Sequence, residues 1–366
     1  MSKKVLFISN HAGFSKFNAP YMLSLHRLGC IIHNASPGIE TGYYDMHFDV
    51  PITRSPISFG NIKALIHLVK ISKKESYDLI HCHTPVGGVL GRVLKLFNRN
   101  TKVIYTAHGF HFYKGGNPIM WLIYFPIEFI LSFLTDAVVT INDEDYKISQ
   151  RLLFSKSVHK INGVGVDLDR FKPNPYVYRD KRAELKVHPS DTLLIYVAQF
   201  IKRKDHVFIV KAISRLKVSP IFSSLKVIFV GTGPLIEELK SLVADLGIAD
   251  KFIFTGYVKD VQSYYQCSDI LLSSSKQEGF GLNLVEGLAT GLPYLVSKVR
   301  GHVDIHALSS SNYLYKVGDE TDFVKKLELI IEQNERQNPN VHIASAQHFN
   351  VQHSLNDMLP IYNQYL

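Results

Sequence analysis

Cysteine is scarce in this chain: Cys30, Cys82 and Cys267 are its only three in 366 residues, and they stand far apart with no metal-type spacing. That excludes a disulfide scaffold and a cysteine-built zinc site, and it implies a reducing, cytoplasmic setting. No signal-peptide pattern precedes the first apolar run, which points the same way. Low-complexity tracts and repeats of fixed period are also missing. A membrane-spanning run is absent too. The most apolar stretch, PIMWLIYFPIEFILSFL at 118–134, is interrupted by Pro126 and Glu128 and closed by Asp136, short of the roughly 20 apolar residues a span needs. It reads either as a buried helix of the first domain or as a hydrophobic helix seated at a bilayer surface. Phe110, Phe112, Tyr113, Trp121 and Tyr124 lie beside it, with basic residues nearby to meet anionic headgroups. Without a zinc-finger or RRM-type signature, nucleic acid is not an expected partner.

What is present is a globular composition, 46% hydrophobic and 20% charged, in a chain longer than the roughly 250–300 residues one core supports. Two domains are expected. The formal charge of +9 is uneven, because residues 1–170 hold 19 Lys and Arg against 12 Asp and Glu, or +7. The basic half should attract an anion, either a phosphorylated substrate or an anionic membrane surface.

Short apolar runs alternate with helical patterns. KVLFIS, CIIHNAS, YDLIHCH, TKVIYTAH and DAVVTIN read as strands, and APYMLSLHRLG, IKALIHLVKISKKE and VGGVLGRVLKLF as helices. The rhythm resets across the proline- and charge-bearing stretch at 164–185, then resumes with TLLIYVAQF, LKVIFVGTG, KFIFTGY, DILLSSS and LPYLVS. Strands alternating with helices imply two doubly wound parallel sheets. In such sheets ligands bind beyond the carboxyl ends of the strands, so the chemistry belongs in SNHAGFSK, HCHTP, TAHGFHF, AQFIKRKD, VGTGP, TGYVKD and SSSKQEGFGLN.

Three of these loops carry a readable signal. In VGTGPL, Gly231 and Gly233 would let the backbone approach a ligand before a helix begins. Lys202, Arg203 and Lys204 follow an apolar strand and suit a diphosphate. In KQEGFGLNLVEGLAT, Glu278 lies in a glycine-rich turn and Glu286 a turn and a half into the following helix. The helix start can hold a phosphate, and each carboxylate can accept two hydroxyl hydrogen bonds from a ribose or hexose. The combination has the shape of a nucleotide sugar. The histidines come in pairs, His81 with His83 and His108 with His111, but no third ligand accompanies either pair and no metal is expected. His108, between a strand end and Gly109, is placed to donate to a sugar hydroxyl or a carbonyl oxygen.

These residues resemble the GT-B glycosyltransferases of family 4, a retaining, nucleotide-sugar-dependent group, and especially its bacterial capsule and exopolysaccharide members. The resemblance runs through YDLIHCHTPVGG, KVIYTAHGFHFYKG, INGVGVDLDRF, VGTGPL, the Glu278-to-Glu286 element and ATGLPYLVS with Gly301. It implies an α/β, GT-B fold of two Rossmann-like domains facing a cleft. Residues 1–165 would bind acceptor, 166–346 would bind donor, and 347–366 would form a helix crossing back to the first domain. By position, Glu278 would contact the transferred sugar, Glu286 the ribose, Lys204 the diphosphate and His108 the donor sugar. Phe280, Gly281 and Leu282 would offer backbone N–H groups, and Tyr257 and Val258 would hold the base.

Two departures stand out. Ala198-Gln199 replaces the usual Gly-Arg, leaving Arg203 as the candidate substitute cation, and the N-terminal loop holds only Gly13 where many members have two adjacent glycines. The Asp-Glu-Asp at 143–145 and the Asp-Leu-Asp at 167–169 imitate a metal-binding Asp-x-Asp but belong to no fold that uses one. The resemblance therefore implies a metal-free transfer of a hexose or N-acetylhexosamine from a UDP-sugar to a lipid-linked saccharide, by a protein peripheral to the inner face of an anionic membrane. The competing readings are a nucleotide-sugar epimerase of the same architecture and a non-catalytic polyanion- or membrane-binding protein that uses the basic first half.

Overall fold

The computed structural model describes residues 2–11, 13–38, 42–56, 58–309 and 313–366. Ala12, in the first loop quoted above, lies outside them. The chain divides into two units, residues 1–165 with 351–366 and residues 166–350.

The first unit holds seven parallel strands: β1 (Lys4–Ile8), β2 (Ile31–Ser36), β3 (Met46–Asp49), β4 (Leu79–His83), β5 (Lys102–Ala107), β6 (Ala137–Thr140) and β7 (Ser157–Lys160). They lie in the order β3-β2-β1-β4-β5-β6-β7. The central strands are buried along nearly their whole length because helices cover both faces, so they read as continuous apolar runs. The edge strands MHFD and SVHK escaped the sequence reading for the opposite reason. They are short, polar and half exposed, as edges must be to avoid pairing with other chains.

Among the described residues the helices that follow these strands are α1 (Phe14–Arg27), α2 (Gly60–Glu75), α3 (Pro85–Val93), α4 (Pro118–Ser132) and α5 (Asp143–Leu152). α1 begins five residues before the expected start and carries Pro20 inside it, where only the bond to a carbonyl four residues back is lost.

The second unit orders its six parallel strands β10-β9-β8-β11-β12-β13, from β8 (Thr192–Val197), β9 (Leu225–Val230), β10 (Phe252–Gly256), β11 (Ile270–Ser273), β12 (Tyr294–Ser297) and β13 (Tyr313–Tyr315). Its helices are α6 (Pro175–Glu184), α7 (His206–Arg215), α8 (Ile236–Asp245), α9 (Val261–Gln266), α10 (Leu282–Ala289), α11 (Arg300–Ala307), α12 (Glu320–Glu332) and α13 (Pro339–Ala346). The stretch read as a linker thus contains α6, whose start is capped by Asn174 through the amides of Tyr176 and Val177. The two doubly wound parallel sheets expected from the alternation are present.

The last helix, α14 (Val351–Tyr365), rejoins the first unit. Tyr362 Oη sits 2.7 Å from His81 Nδ1, and Ser354 Oγ 2.5 Å from Tyr21 Oη. The crossing segment was drawn from residue 347, but Gln347–Phe349 is a turn that stays in the second unit, where Phe349 is buried against Phe280 at 5.6 Å between ring centroids. Among the described residues no helix is long and apolar enough to cross a membrane.

Candidate active site

In the second unit the strand order reverses between β8 and β11: β9 and β10 extend to one side, β12 and β13 to the other. A crevice opens at such a point because the loops after the two central strands diverge. The loop after β8 carries the cations and the loop after β11 carries Glu278, so chain topology brings together residues some 75 positions apart.

The cationic turn Lys202–Lys204 is fastened by its backbone. The Lys204 carbonyl accepts from Tyr196 Oη at 2.7 Å and Ser274 Oγ at 3.0 Å, while the Lys276 amide donates to the Arg203 carbonyl at 2.9 Å. With its backbone held, the Lys204 ammonium reaches Glu278 Oε1, and Arg203 Nη1 donates to the Gln277 carbonyl at 2.8 Å and to Glu278 Oε2 at 3.4 Å. Ser275 Oγ donates to Glu278 Oε1 at 2.6 Å. Burial alone would raise the Glu278 carboxyl, but Lys204, His302 and Arg203 overcome it and pull it down to about 2. Glu278 is therefore an anion throughout the physiological range, with two cations already beside it.

Glu278 leads into α10, whose N-cap is Gly281 at φ 121°, a conformation that favours glycine, and no side chain caps the helix. The turn is seated on Gly301, where a Cβ would come within 2.3 Å of the Phe280 carbonyl oxygen. Phe280 is buried in this seat. The amides of Phe280, Gly281 and Leu282 thus stand at an uncapped, electropositive helix start. Further along, Glu286 is half-buried and accepts from Tyr265 Oη at 2.8 Å. Burial raises its carboxyl against the lowering effect of Tyr265 and Arg170, so Glu286 takes up a proton more readily than Glu278 does.

The glycines of VGTGPL permit a close approach of backbone to backbone. A Cβ on Gly231, at φ 143°, would lie 2.1 Å from the Ala198 carbonyl oxygen, and one on Gly233 would lie 2.5 Å from that of Phe200. The close approach they permit is to the loop after β8, which they brace. After β10, Tyr257 is 76% exposed and Val258 half-buried.

In the first unit the strand order reverses between β1 and β4, and the loops there gather Gly13, His83 and, from the end of β5, His108. Gly13 has an ordinary right-handed φ of −60°, and its amide donates to His11 Nδ1 at 3.0 Å. The histidines do not associate as sequence neighbours. His83 Nδ1 meets His108 Nε2 at 3.1 Å, His81 is held by Tyr362 and Thr106, and His111 stacks on Tyr124. Burial lowers His81 to about 3, His108 to about 4 and His83 well below its ordinary value, so all three are neutral at physiological pH. His108 packs edge-on against Phe14. Among the described residues no three His, Cys, Asp or Glu side chains form a group that could hold a metal ion.

Four residues here were missed from the sequence: Tyr196, Tyr265, Ser275 and His302. Ser275 ends the serine triplet at 273–275, a polar run at a strand terminus that could have drawn attention. The tyrosines look like core aromatics. His302 is buried, its Nδ1 2.8 Å from the Ser297 carbonyl, and nothing in its local pattern places it under Gly281.

Comparison with known proteins adds the following. Residues 177–344 match the family model described as glycosyl transferases group 1, and residues 4–142 that described as glycosyl transferase 4-like. EpsD of Bacillus subtilis, named as a glycosyltransferase, is 34% identical over 100% of this chain and 98% of its own length. The UDP-Gal:alpha-D-GlcNAc-diphosphoundecaprenol alpha-1,3-galactosyltransferase of Escherichia coli is 26% identical over 76% of this chain and 73% of its own. Among solved structures, Anabaena HepE in complex with UDP and glucose superimposes with a TM-score of 0.81 at 16% identity, covering 99% of this chain and 100% of that one.

Proposed function

Since this chain belongs to the GT-B glycosyltransferases of group 1, we propose that it transfers a hexose or N-acetylhexosamine from a UDP-sugar to a lipid-linked saccharide at an anionic membrane, with retention of anomeric configuration. The observation that carries the donor assignment is the convergence of Lys204, Arg203 and Glu278 at the uncapped start of α10. A pyrophosphate there meets two cations and a helix N-terminus, which offset the charge that grows on the leaving diphosphate. Arg203 supplies the cation missing at Gln199. Glu286, oriented by Tyr265, accepts from the ribose hydroxyls, Glu278 accepts from the transferred sugar, and the exposed Tyr257 ring meets the base beside Val258. HepE is described with UDP and with UDP-glucose, which supports a uridine nucleotide as donor here. The diphosphoundecaprenol in the name of the E. coli relative supports a lipid-linked acceptor.

Glu278 is held by Lys204, Arg203 and Ser275 and makes a poor nucleophile, which favours same-face displacement. The bond from the anomeric carbon to the diphosphate oxygen breaks, the acceptor oxygen bonds to the same face, and its proton passes to the departing phosphate oxygen. The neutral His108 donates to a hydroxyl or carbonyl oxygen of the sugars. Because lysine, arginine and backbone amides neutralise the diphosphate, turnover should be unaffected by EDTA; a strict requirement for added divalent ion would refute that part of the reading.

Titration calorimetry with UDP and a panel of UDP-sugars tests the donor site. UDP should bind, and Glu286→Ala should weaken it by on the order of tenfold or more, the loss of hydrogen bonds to a charged acceptor. Absence of heat with every uridine nucleotide would overturn the assignment. A pH series refines it. The Glu286 carboxyl is raised above 4.5, and the anion is the form that accepts both ribose hydroxyls, so UDP affinity should climb as pH rises through that shifted value. Glu286→Gln should flatten the climb. Turnover of a UDP-sugar to its epimer without acceptor would favour the epimerase instead.

A further inference from the structure

α4 is the helix that the sequence left between two readings, core element or bilayer seat. Its inner face is firmly engaged: Trp121, Tyr124, Phe125 and Phe129 pack on the first unit's core, together with the inner faces of α2 and α3. Its one charged residue, Glu128, is buried in a two-pronged pair with Arg92, at 2.6 and 3.1 Å. The outer face is the anomaly. Ile119, Leu122, Ile123, Ile127, Ile130 and, just past the helix, Phe133 are all exposed, Leu122 at 77% and Ile130 at 64%. Their spacing of three and four residues lines them along one stripe. Phe154 extends it, 60% exposed and stacked on Phe133 at 5.0 Å. No exposed residue of α4 is polar. These seven side chains present roughly 700 Å² of apolar surface, beyond the ~300–600 Å² that is the largest patch on an ordinary monomer.

We propose that this stripe is the surface by which the protein seats itself on an anionic bilayer, with α4 lying in the plane of the interface. The proposal deepens the membrane contact named above but does not depend on the sugar chemistry. Three observations select a bilayer over a protein partner. First, the stripe offers no hydrogen-bonding side chain, whereas protein interfaces carry about one hydrogen bond per 100–200 Å². Second, exposed cations stand at both ends, Lys114 ahead of the helix and Arg151 three residues before Phe154, where anionic headgroups would surround an embedded helix about 22 Å long. Third, the basic charge is concentrated in this unit: residues 1–165 and 351–366 hold 18 Lys and Arg against 11 Asp and Glu, or +7. The buried Arg92–Glu128 pair keeps the helix from leaving its core to span the membrane, so it lies on the bilayer and does not cross it.

The experiment uses the full chain without sugar substrate and follows flotation with vesicles of phosphatidylcholine, alone or mixed with phosphatidylglycerol. Trp121 is the chain's single tryptophan and lies on α4, so its fluorescence reports this helix alone. The protein should float with mixed vesicles, and brominated lipid should quench its emission. Leu122→Ser combined with Ile130→Ser should lower vesicle partitioning by at least about tenfold, since both remove apolar surface at solvent-exposed positions. Lys114→Gln with Arg151→Gln should weaken binding to the anionic vesicles alone. UDP binding heat should be unchanged in each variant, which separates failure here from failure of the donor site. The proposal is overturned if the serine variant floats like the parent, or if the parent does not float. It is also overturned if the serine substitutions convert a dimer to a monomer in sedimentation without affecting flotation, because the stripe is then a contact between two copies.

Discussion

Lys204→Ala should lower turnover by about 10²–10³-fold, the effect of deleting one preorganised donor from a developing anion. The Lys204 ammonium rests on Glu278. On the proposed reading the same ammonium meets the diphosphate as the sugar bond breaks. Removing it leaves Arg203, Ser275 and the nearby His302 among the groups that act on Glu278. Burial, which raises the Glu278 carboxyl, would then be less well opposed, and its pKa should move up from about 2. A group with a depressed folded-state pKa contributes stability above its unfolded value and loses it as pH falls through the folded one. The alanine variant should therefore have less of this stability to lose in acid, and its loss should be complete at higher pH than the parent's. Kinetics with saturating donor measure the first effect and thermal melts across acid pH the second. Parent-like turnover would remove Lys204 from the mechanism.

Arg92→Leu should destabilise the first unit by about 3–5 kcal/mol, because it strands a buried carboxylate. Arg92 is fully buried, pairs with Glu128 through two nitrogens and lies 4.0 Å over the Tyr105 ring. Replacing both charges, Arg92→Leu with Glu128→Leu, should restore most of the loss, since two apolar groups of similar volume leave no unsatisfied ion. Urea denaturation of the single and double variants measures the difference. A single variant within ~1 kcal/mol of the parent would show that water reaches Glu128 and that the pair does not anchor α4.

The two predictions draw on different amounts of sequence information. Lys204 and Glu278 were legible because each follows an apolar strand directly, and strand-end loops at a sheet's switch point carry ligand chemistry whatever the neighbouring residues are. Arg92 and Glu128 were not. A charged residue within an apolar helix reads as an interruption until its partner, 36 positions away, is known to face it. The same limit applies to two glycines. Gly231 and Gly233 signal a close approach, but the sequence does not name its partner, and the structure shows the loop after β8 to be one.

By itself the sequence determined the alternation of strand and helix, the two sheets, the loops that bear the chemistry, and the carboxylate pair spaced around a helix start. All of these are periodic or local features, encoded within a few residues of where they act. Only the tertiary structure decided which side chains meet: Arg203 on Glu278, Tyr265 on Glu286, His83 with His108 in place of the pairs the spacing suggested, and an outward stripe on a helix that could as well have been buried. Those contacts follow from strand orders that double back on themselves, so that neighbours in space are distant in the chain and no local pattern records them.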